Sequence, residues 1–224
     1  MEKKGLYFIF FKAAGIDFLV DAKILELQKN PKKARLGVLR MENRIRLDHY
    51  NQDWYTRGRS NVIVLLWWFV QGTLFRFSIH NMYGWRRFLL QLFGAKIGQG
   101  AQIRATAKFT YPWKVTIGDY SWIGDNTEFY SLDFIQVGSH CTISQNCYLC
   151  TGTHDMTDAK FGLITKPLTI RDGAWIASDV FIYPGVHVGT MAVVAARSTV
   201  VRDIPENEVH AGVPAKYLRK RFIE

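Results

Sequence analysis

Long hydrophobic runs are missing from this chain of 224 residues, and the longest continuous apolar stretch, Val62 to Val70, spans nine. A membrane-crossing helix needs about 20 predominantly apolar residues, so this segment does not span a bilayer. Cysteine is scarce. Cys141, Cys147 and Cys150 form neither a CxxC pair nor a disulfide framework, and they read as buried residues suited to a reducing compartment. No convincing secretory signal is present: the run Leu6–Phe11 is short, is followed by Lys12, and lacks a small-x-small cleavage site. Acidic residues are outnumbered, 19 against 29 Lys and Arg, giving a net charge of +10. Such a charge suits an anionic surface or a phosphorylated ligand. No motif with nucleic-acid-binding spacing accompanies it, and nucleic acid is not expected as a partner.

What the chain has in quantity is a repeat. Fifteen aliphatic or aromatic residues recur at intervals of six: Ile97, Ile103, Phe109; Ile117, Ile123, Phe129; Val137, Ile143, Leu149; Ile170, Ile176, Ile182; Val188, Val194, Val200. Many are followed by glycine, as at Gly98, Gly118 and Gly138. Neither a helix nor a simple strand has a period of six; a hexapeptide β-helix does.

Three hexapeptides make one triangular coil, so the gaps in the repeat carry geometry. Phe109 to Ile117 and Phe129 to Val137 are eight apart, and Leu149 to Ile170 are 21 apart. Each insertion follows the third rung of a coil, which puts all three on the same edge of the prism. Counting five past each third rung predicts a stacked column of Lys114, Phe134, His154 and His187. His154 stands at the mouth of the long loop 155–167, and loops on a rigid scaffold often carry function.

The chain divides into four zones. Residues 1–40, with a helix expected near 16–29, hold nine Lys or Arg against four Asp or Glu and share nothing with the repeat. They read as a non-catalytic extension, with Met41 resembling an ordinary protein start. Residues 41–94 form a helical N-terminal region. Here Val62–Val70 has two readings: a buried helix packed on the repeat or a neighbouring subunit, or an interfacial helix with flanking arginines facing lipid headgroups. The lack of a polar face within the run favours the first. Residues 95–210 form the β-helix. In the tail, 211–224, Pro214 followed by Lys216, Arg219, Lys220 and Arg221 predicts a short C-terminal helix. The fold class expected is therefore mainly β, with N-terminal helices and one C-terminal helix.

Several segments carry a family resemblance: Asp53–Ser60 (Asp-Trp-Tyr-Thr-Arg-Gly-Arg-Ser), Tyr83–Arg86, Phe93–Gly98, Tyr111–Lys114, Tyr148–Asp155 (Tyr-Leu-Cys-Thr-Gly-Thr-His-Asp) and Ala211–Lys216 (Ala-Gly-Val-Pro-Ala-Lys). Together they resemble the colanic-acid-type branch of the hexapeptide acetyltransferases, across about residues 41–222. The resemblance implies a left-handed parallel β-helix, contrary to the usual right-handed crossover. It also implies a homotrimer with sites in the clefts between subunits, acetyl-CoA as donor, and no metal. His154 matches the family's catalytic base, which fits the chemistry: imidazole, with an ordinary pKa of about 6.5, can take the proton of an attacking hydroxyl. Ser178, Ala196, Arg202 and Arg219 are carried over as acetyl-CoA contacts, with Lys216 as a further candidate. Acceptor contacts fall on Asn126, Tyr130, Ser131 and Asp155. The acceptor implied is a sugar or lipid-linked oligosaccharide in surface-glycan assembly, on the cytoplasmic side and with peripheral membrane contact.

Three alternatives stand beside this reading. One is a covalent route through Cys150. A second is a zinc site, disfavoured because His140, His154, His187 and His210 contain no pair five residues apart. The third is a non-catalytic scaffold at the membrane.

Overall fold

The computed structural model describes residues 45–223, so the expectations for 1–40 lie outside the described residues. Residues 52–155 and 163–223 form the body considered below, whereas 45–51 and 156–162 belong to a separate compact unit.

The first three coils are built from β1 (Lys96–Ile97), β2 (Gln102–Ile103) and β3 (Lys108–Phe109); β4 (Val115–Ile117), β5 (Trp122–Ile123) and β6 (Glu128–Tyr130); and β7 (Ile135–Val137), β8 (Thr142–Ile143) and β9 (Tyr148–Cys150). A hairpin follows, β10 (Gly152–His154) and β11 (Leu163–Thr165). Two further coils are β12 (Leu168–Ile170), β13 (Trp175–Ile176) and β14 (Phe181–Ile182), then β15 (His187–Val188), β16 (Val193–Val194) and β17 (Thr199–Val200). The chain closes with β18 (Glu208–Ala211) and β19 (Lys216–Lys220).

Every third strand joins one parallel sheet, and the orders are β1-β4-β7-β12-β15, β2-β5-β8-β13-β16-β18-β19 and β3-β6-β9-β14-β17. The result is a parallel β-solenoid of the left-handed hexapeptide-repeat type. All fifteen rungs point inward and are buried. Glycine after a first-sheet rung has a steric cause: a Cβ on Gly118 would lie 2.5 Å from the backbone at Gly138 and Ser139 in the next coil.

The open edge of the first coil is sealed by two helices, α1 (Asn61–Val70) and α2 (Tyr83–Leu92), joined through a π-turn at Gln71–Phe75. Gln91 Nε2 donates to Ile97 O, Arg87 to Ala101 O, Arg86 Nε to Ile103 O and Trp67 Nε1 to Phe109 O, at 2.9, 2.9, 2.5 and 2.8 Å. These four carbonyls, which a preceding coil would have paired, therefore meet side-chain donors instead. Arg86 is fully buried and gives its remaining bonds to Ser78 Oγ, Ile79 O and His80 O. Helix α2 ends at Phe93, with Gly94 in the left-handed region at φ 95°, as its sequence position suggests.

The far end corrects the expected C-terminal helix. Residues 216–220 form β19, which runs antiparallel to β18. β18 is the last parallel strand of the second sheet, and its outer edge offers N–H and C=O groups that the returning strand β19 satisfies. A surface helix would leave them open, and this demand outweighs the local helical signals.

Candidate functional site

The three insertions do emerge along one edge, between the third and first sheets, and buried hydroxyls stitch them together. Ser131 Oγ accepts from Tyr111 N at 2.9 Å and donates to Tyr111 O at 3.0 Å. Twenty residues on, Thr151 Oγ1 donates to Tyr130 O at 2.7 Å and accepts from Asp133 N at 2.9 Å. Beneath the hairpin, Tyr111, Leu132, Leu163 and Val64 form a small apolar core flanked by Tyr55, Trp113 and Tyr130. Lys114 reaches into this edge, donating to Leu132 O at 2.6 Å and Thr56 O at 3.2 Å. Its burial lowers its pKa from the usual lysine value, and burial raises that of Tyr55.

From this rigid edge β10 and β11 project as an antiparallel pair, with His154 opposite Leu163 at the outer end. His154 is exposed and Asp155 half-buried. Successive side chains in an extended chain point to opposite sides, so the two do not naturally form one catalytic pair. Thr153 Oγ1 lies 3.4 Å from Tyr183 Oη, which ties the hairpin to the fourth coil.

The predicted column needs correction. His187 pairs in register with Thr169, which aligns with Gln136 and in turn with Thr116, on the flat face of the first sheet. Lys114 and Phe134 precede their strands on the insertion edge. Counting forward from the third rung ignores the two-residue insertions that coils one and two contain and coil four lacks. His187 is therefore not stacked with His154.

The other sequence candidates divide between edges. Tyr130 and Ser131 lead into the His154 edge, and Arg202 follows β17 on that same edge, exposed. Ser131 is fully buried with its hydroxyl bonded to Tyr111 on both sides, so its geometry is that of a stitch in the scaffold. Asn126, Ser178 and Ala196 lie on the opposite edge of the third sheet, between the second and third sheets. Asn126 has φ 56° there and its side chain donates to Asn146 Oδ1 at 3.3 Å. Ser178 is half-buried, its carbonyl accepting from Arg197 N at 2.9 Å, and Ala196 is exposed. Residues 212–215 are laid against this edge: Thr199 N donates to Gly212 O and Ala215 N to Thr199 O, at 3.0 and 2.8 Å. Lys216 begins β19 from that point, and Arg219 lies farther along, opposite Val209.

Within one copy, His154 and the Ser178–Ala196–Lys216 group thus occupy opposite edges of one sheet. Small side chains stand at 178 and 196 on that second edge. Exposed cations at Lys216, Arg219 and Arg202 suit phosphate groups.

The three cysteines are buried and unbridged. Cys150 Sγ donates to Gly152 O at 3.1 Å, and burial raises its pKa. Among the described residues no group of three or more His, Cys, Asp or Glu is arranged to hold a metal ion. The sequence reading named Lys114 and Thr151 without their roles, the first as a cation on this edge and the second as a buried stitch, and missed Tyr183. The twenty-residue spacing of Tyr111, Ser131 and Thr151 was the available signal for the second.

No protein-family model matches the sequence. A relative decides the matter: the chain is 48% identical over 165 residues to the protein named "Putative colanic acid biosynthesis acetyltransferase WcaF" of Escherichia coli, covering 74% of this chain and 91% of that one. The chain belongs to the hexapeptide-repeat acetyltransferases. Within this family it is also 31% identical over 138 residues to the galactoside O-acetyltransferase of Escherichia coli, covering 60% of this chain and 68% of that protein. The fold matches a solved hexapeptide-repeat acetyltransferase of Vibrio cholerae, complexed with acetyl coenzyme A, at TM-score 0.67 and 23% identity, over 82% of this chain and 98% of that one.

Proposed function

We propose that the protein transfers an acetyl group from acetyl-CoA to a sugar hydroxyl during exopolysaccharide or surface-glycan assembly, with His154 as general base. One observation carries the proposal: the only long insertion of the repeat ends its first strand in an exposed histidine, on an edge held by buried Ser131 and Thr151 and by half-buried Lys114. Catalysis needs such positioning, because a neutral hydroxyl attacks a thioester productively only when proton removal and attack are aligned.

In the proposed reaction the imidazole of His154 accepts the hydroxyl proton as the sugar oxygen bonds to the acetyl carbonyl carbon. Backbone N–H groups in the cleft stabilise the oxyanion. Collapse breaks the carbon–sulfur bond, and the departing CoA sulfur recovers the proton from the imidazolium. Ser178, Ala196, Arg202, Lys216 and Arg219 hold the CoA, and Tyr130, Asn126 and Asp155 contact the acceptor. Because His154 and the Ser178–Ala196–Lys216 group lie on opposite edges of one prism, the reading includes a homotrimer whose cleft joins the His154 edge of one copy, with Arg202, to the Ser178–Ala196 edge of the next. The donor points to the cytoplasm as the site of action.

Thiol release from acetyl-CoA, measured against a panel of free and lipid-linked sugars, tests the proposal. His154→Ala is expected to lower turnover about 10²–10⁴-fold while leaving acetyl-CoA binding intact. Full turnover by His154→Ala removes His154 as the base, and a wild type that binds no acetyl-CoA sinks the reading in favour of a scaffold role.

A further inference from the structure

Helix α1 buries one stripe and exposes another of the same apolar character. Val64, Trp67 and Val70 face the solenoid, while Val62, Leu65, Leu66 and Phe69 are 51–73% exposed. Their spacing of i, i+3, i+4 and i+7 places these four on a single face. Leu74, Phe77 and Ile79 extend the exposed apolar surface beyond the helix. Beside it lies a groove of about 450 Å³ lined by Trp68, Gln71, Arg76, Thr106, Lys108 and Asn126, with no carboxylate in its wall. Arg57, whose guanidinium lies 3.4 Å from Asn61 Oδ1, adds a cation at the start of the helix. The polar rim missing from the nine-residue run is thus supplied by the turns around it.

We infer that this face docks on an anionic lipid surface, with α1 lying in the plane of the headgroups and Arg57 and Arg76 meeting lipid phosphates. Charge selects this occupant. A second copy meeting this face with the same face brings the same cations, any second copy carries a net charge of +10, and residues 1–40 carry nine Lys or Arg against four Asp or Glu, so both add like charge. A negatively charged bilayer complements the rim and accepts the apolar stripe, and an interfacial tryptophan suits that boundary. No described helix is long and apolar enough to cross a membrane, which is consistent with in-plane contact. The inference goes beyond acetyl transfer and stands without it.

The test is co-sedimentation of the full chain with vesicles of phosphatidylcholine, with and without phosphatidylglycerol. Wild type is expected to bind the anionic vesicles and to be released as salt rises. Leu66→Glu/Phe69→Glu is expected to lose binding at least about tenfold with an unchanged circular dichroism spectrum, because charge on the apolar face opposes insertion. Arg76→Glu should weaken binding to anionic vesicles. Wild type that ignores both vesicles overturns the inference. So does binding untouched by the helix variants, which would assign it to residues 1–40. A helix variant that alters the sedimentation-velocity oligomeric state, with no vesicle binding by wild type, assigns the face to a second copy and equally overturns it.

Discussion

The ammonium of Lys114 donates to the carbonyl of Leu132 at 2.6 Å, and the hydroxyl of Tyr55 donates to the same oxygen at 3.0 Å. Two residues 59 apart in sequence therefore converge on one backbone atom of the insertion edge. Their rings and charge also meet, with Nζ 4.8 Å from the Tyr55 ring centroid. The edge that bears His154 is fastened from outside the repeat.

Lys114→Met removes the ammonium donor, leaving the Tyr55 hydroxyl, while keeping most of the side-chain volume. Urea denaturation is expected to show a loss of about 0.5–1.5 kcal/mol, the net range for one hydrogen bond, because the Leu132 carbonyl keeps its Tyr55 donor. The effect should be non-additive with Tyr55→Phe, because both serve one carbonyl.

Ser131→Ala separates scaffold from substrate contact. The change leaves Tyr111 N without its partner, so stability should fall by about 1–3 kcal/mol. KM for the acceptor is expected to stay within twofold or so of wild type under conditions where the variant is folded. A large KM change with unchanged stability would return Ser131 to the acceptor site.

Opposite placement of His154 and Lys216 predicts complementation. Inactive His154→Ala and Lys216→Ala/Arg219→Ala chains, unfolded together and refolded as a mixture, should regain activity. Random assembly leaves about a quarter of the interfaces with both intact halves. A mixture as inactive as its components would mean that each copy forms its site alone.

Burial pushes the thiols of Cys141 and Cys147 up to about 11, and raises that of Cys150. Little thiolate is therefore present at neutral pH. The native protein should resist iodoacetamide, whereas the unfolded chain should take up three equivalents by mass spectrometry. Cys150→Ala should retain turnover, and loss of activity there would revive the covalent route.

Glu208 is held below its ordinary pKa of 4.5 by the hydrogen bond from His210, and then by Lys220. A carboxyl depressed on folding contributes stability that is complete above its unfolded pKa and is lost as pH falls through the folded one. Protection factors across β18 and β19, which correct for the intrinsic pH dependence of amide exchange, should therefore fall below about pH 4.5, and Glu208→Gln should flatten that dependence. Protection independent of pH in the wild type would remove the linkage.

The solenoid was legible because its repeat is local: one inward side chain per six residues specifies the face, and three such faces close the prism. The edge of the insertions followed from arithmetic on the same rungs. Position five past the third rung did not transfer, because strand register is counted from the pairing partner and His187 belongs with Thr169. The tail failed for a different reason. Pro214 and the basic residues after it describe a plausible helix in isolation, but β18 presents an open edge only once five coils have been stacked.

By itself, then, the sequence determined the period, the inward faces, the insertion edge and His154 at its loop, since each depends on spacing along one chain. Tertiary structure decided which groups share an edge, how Lys114 and Tyr55 fasten it, and which stripe of α1 remains outside. Those depend on hydrogen-bond partners and packing surfaces that do not exist until distant segments meet.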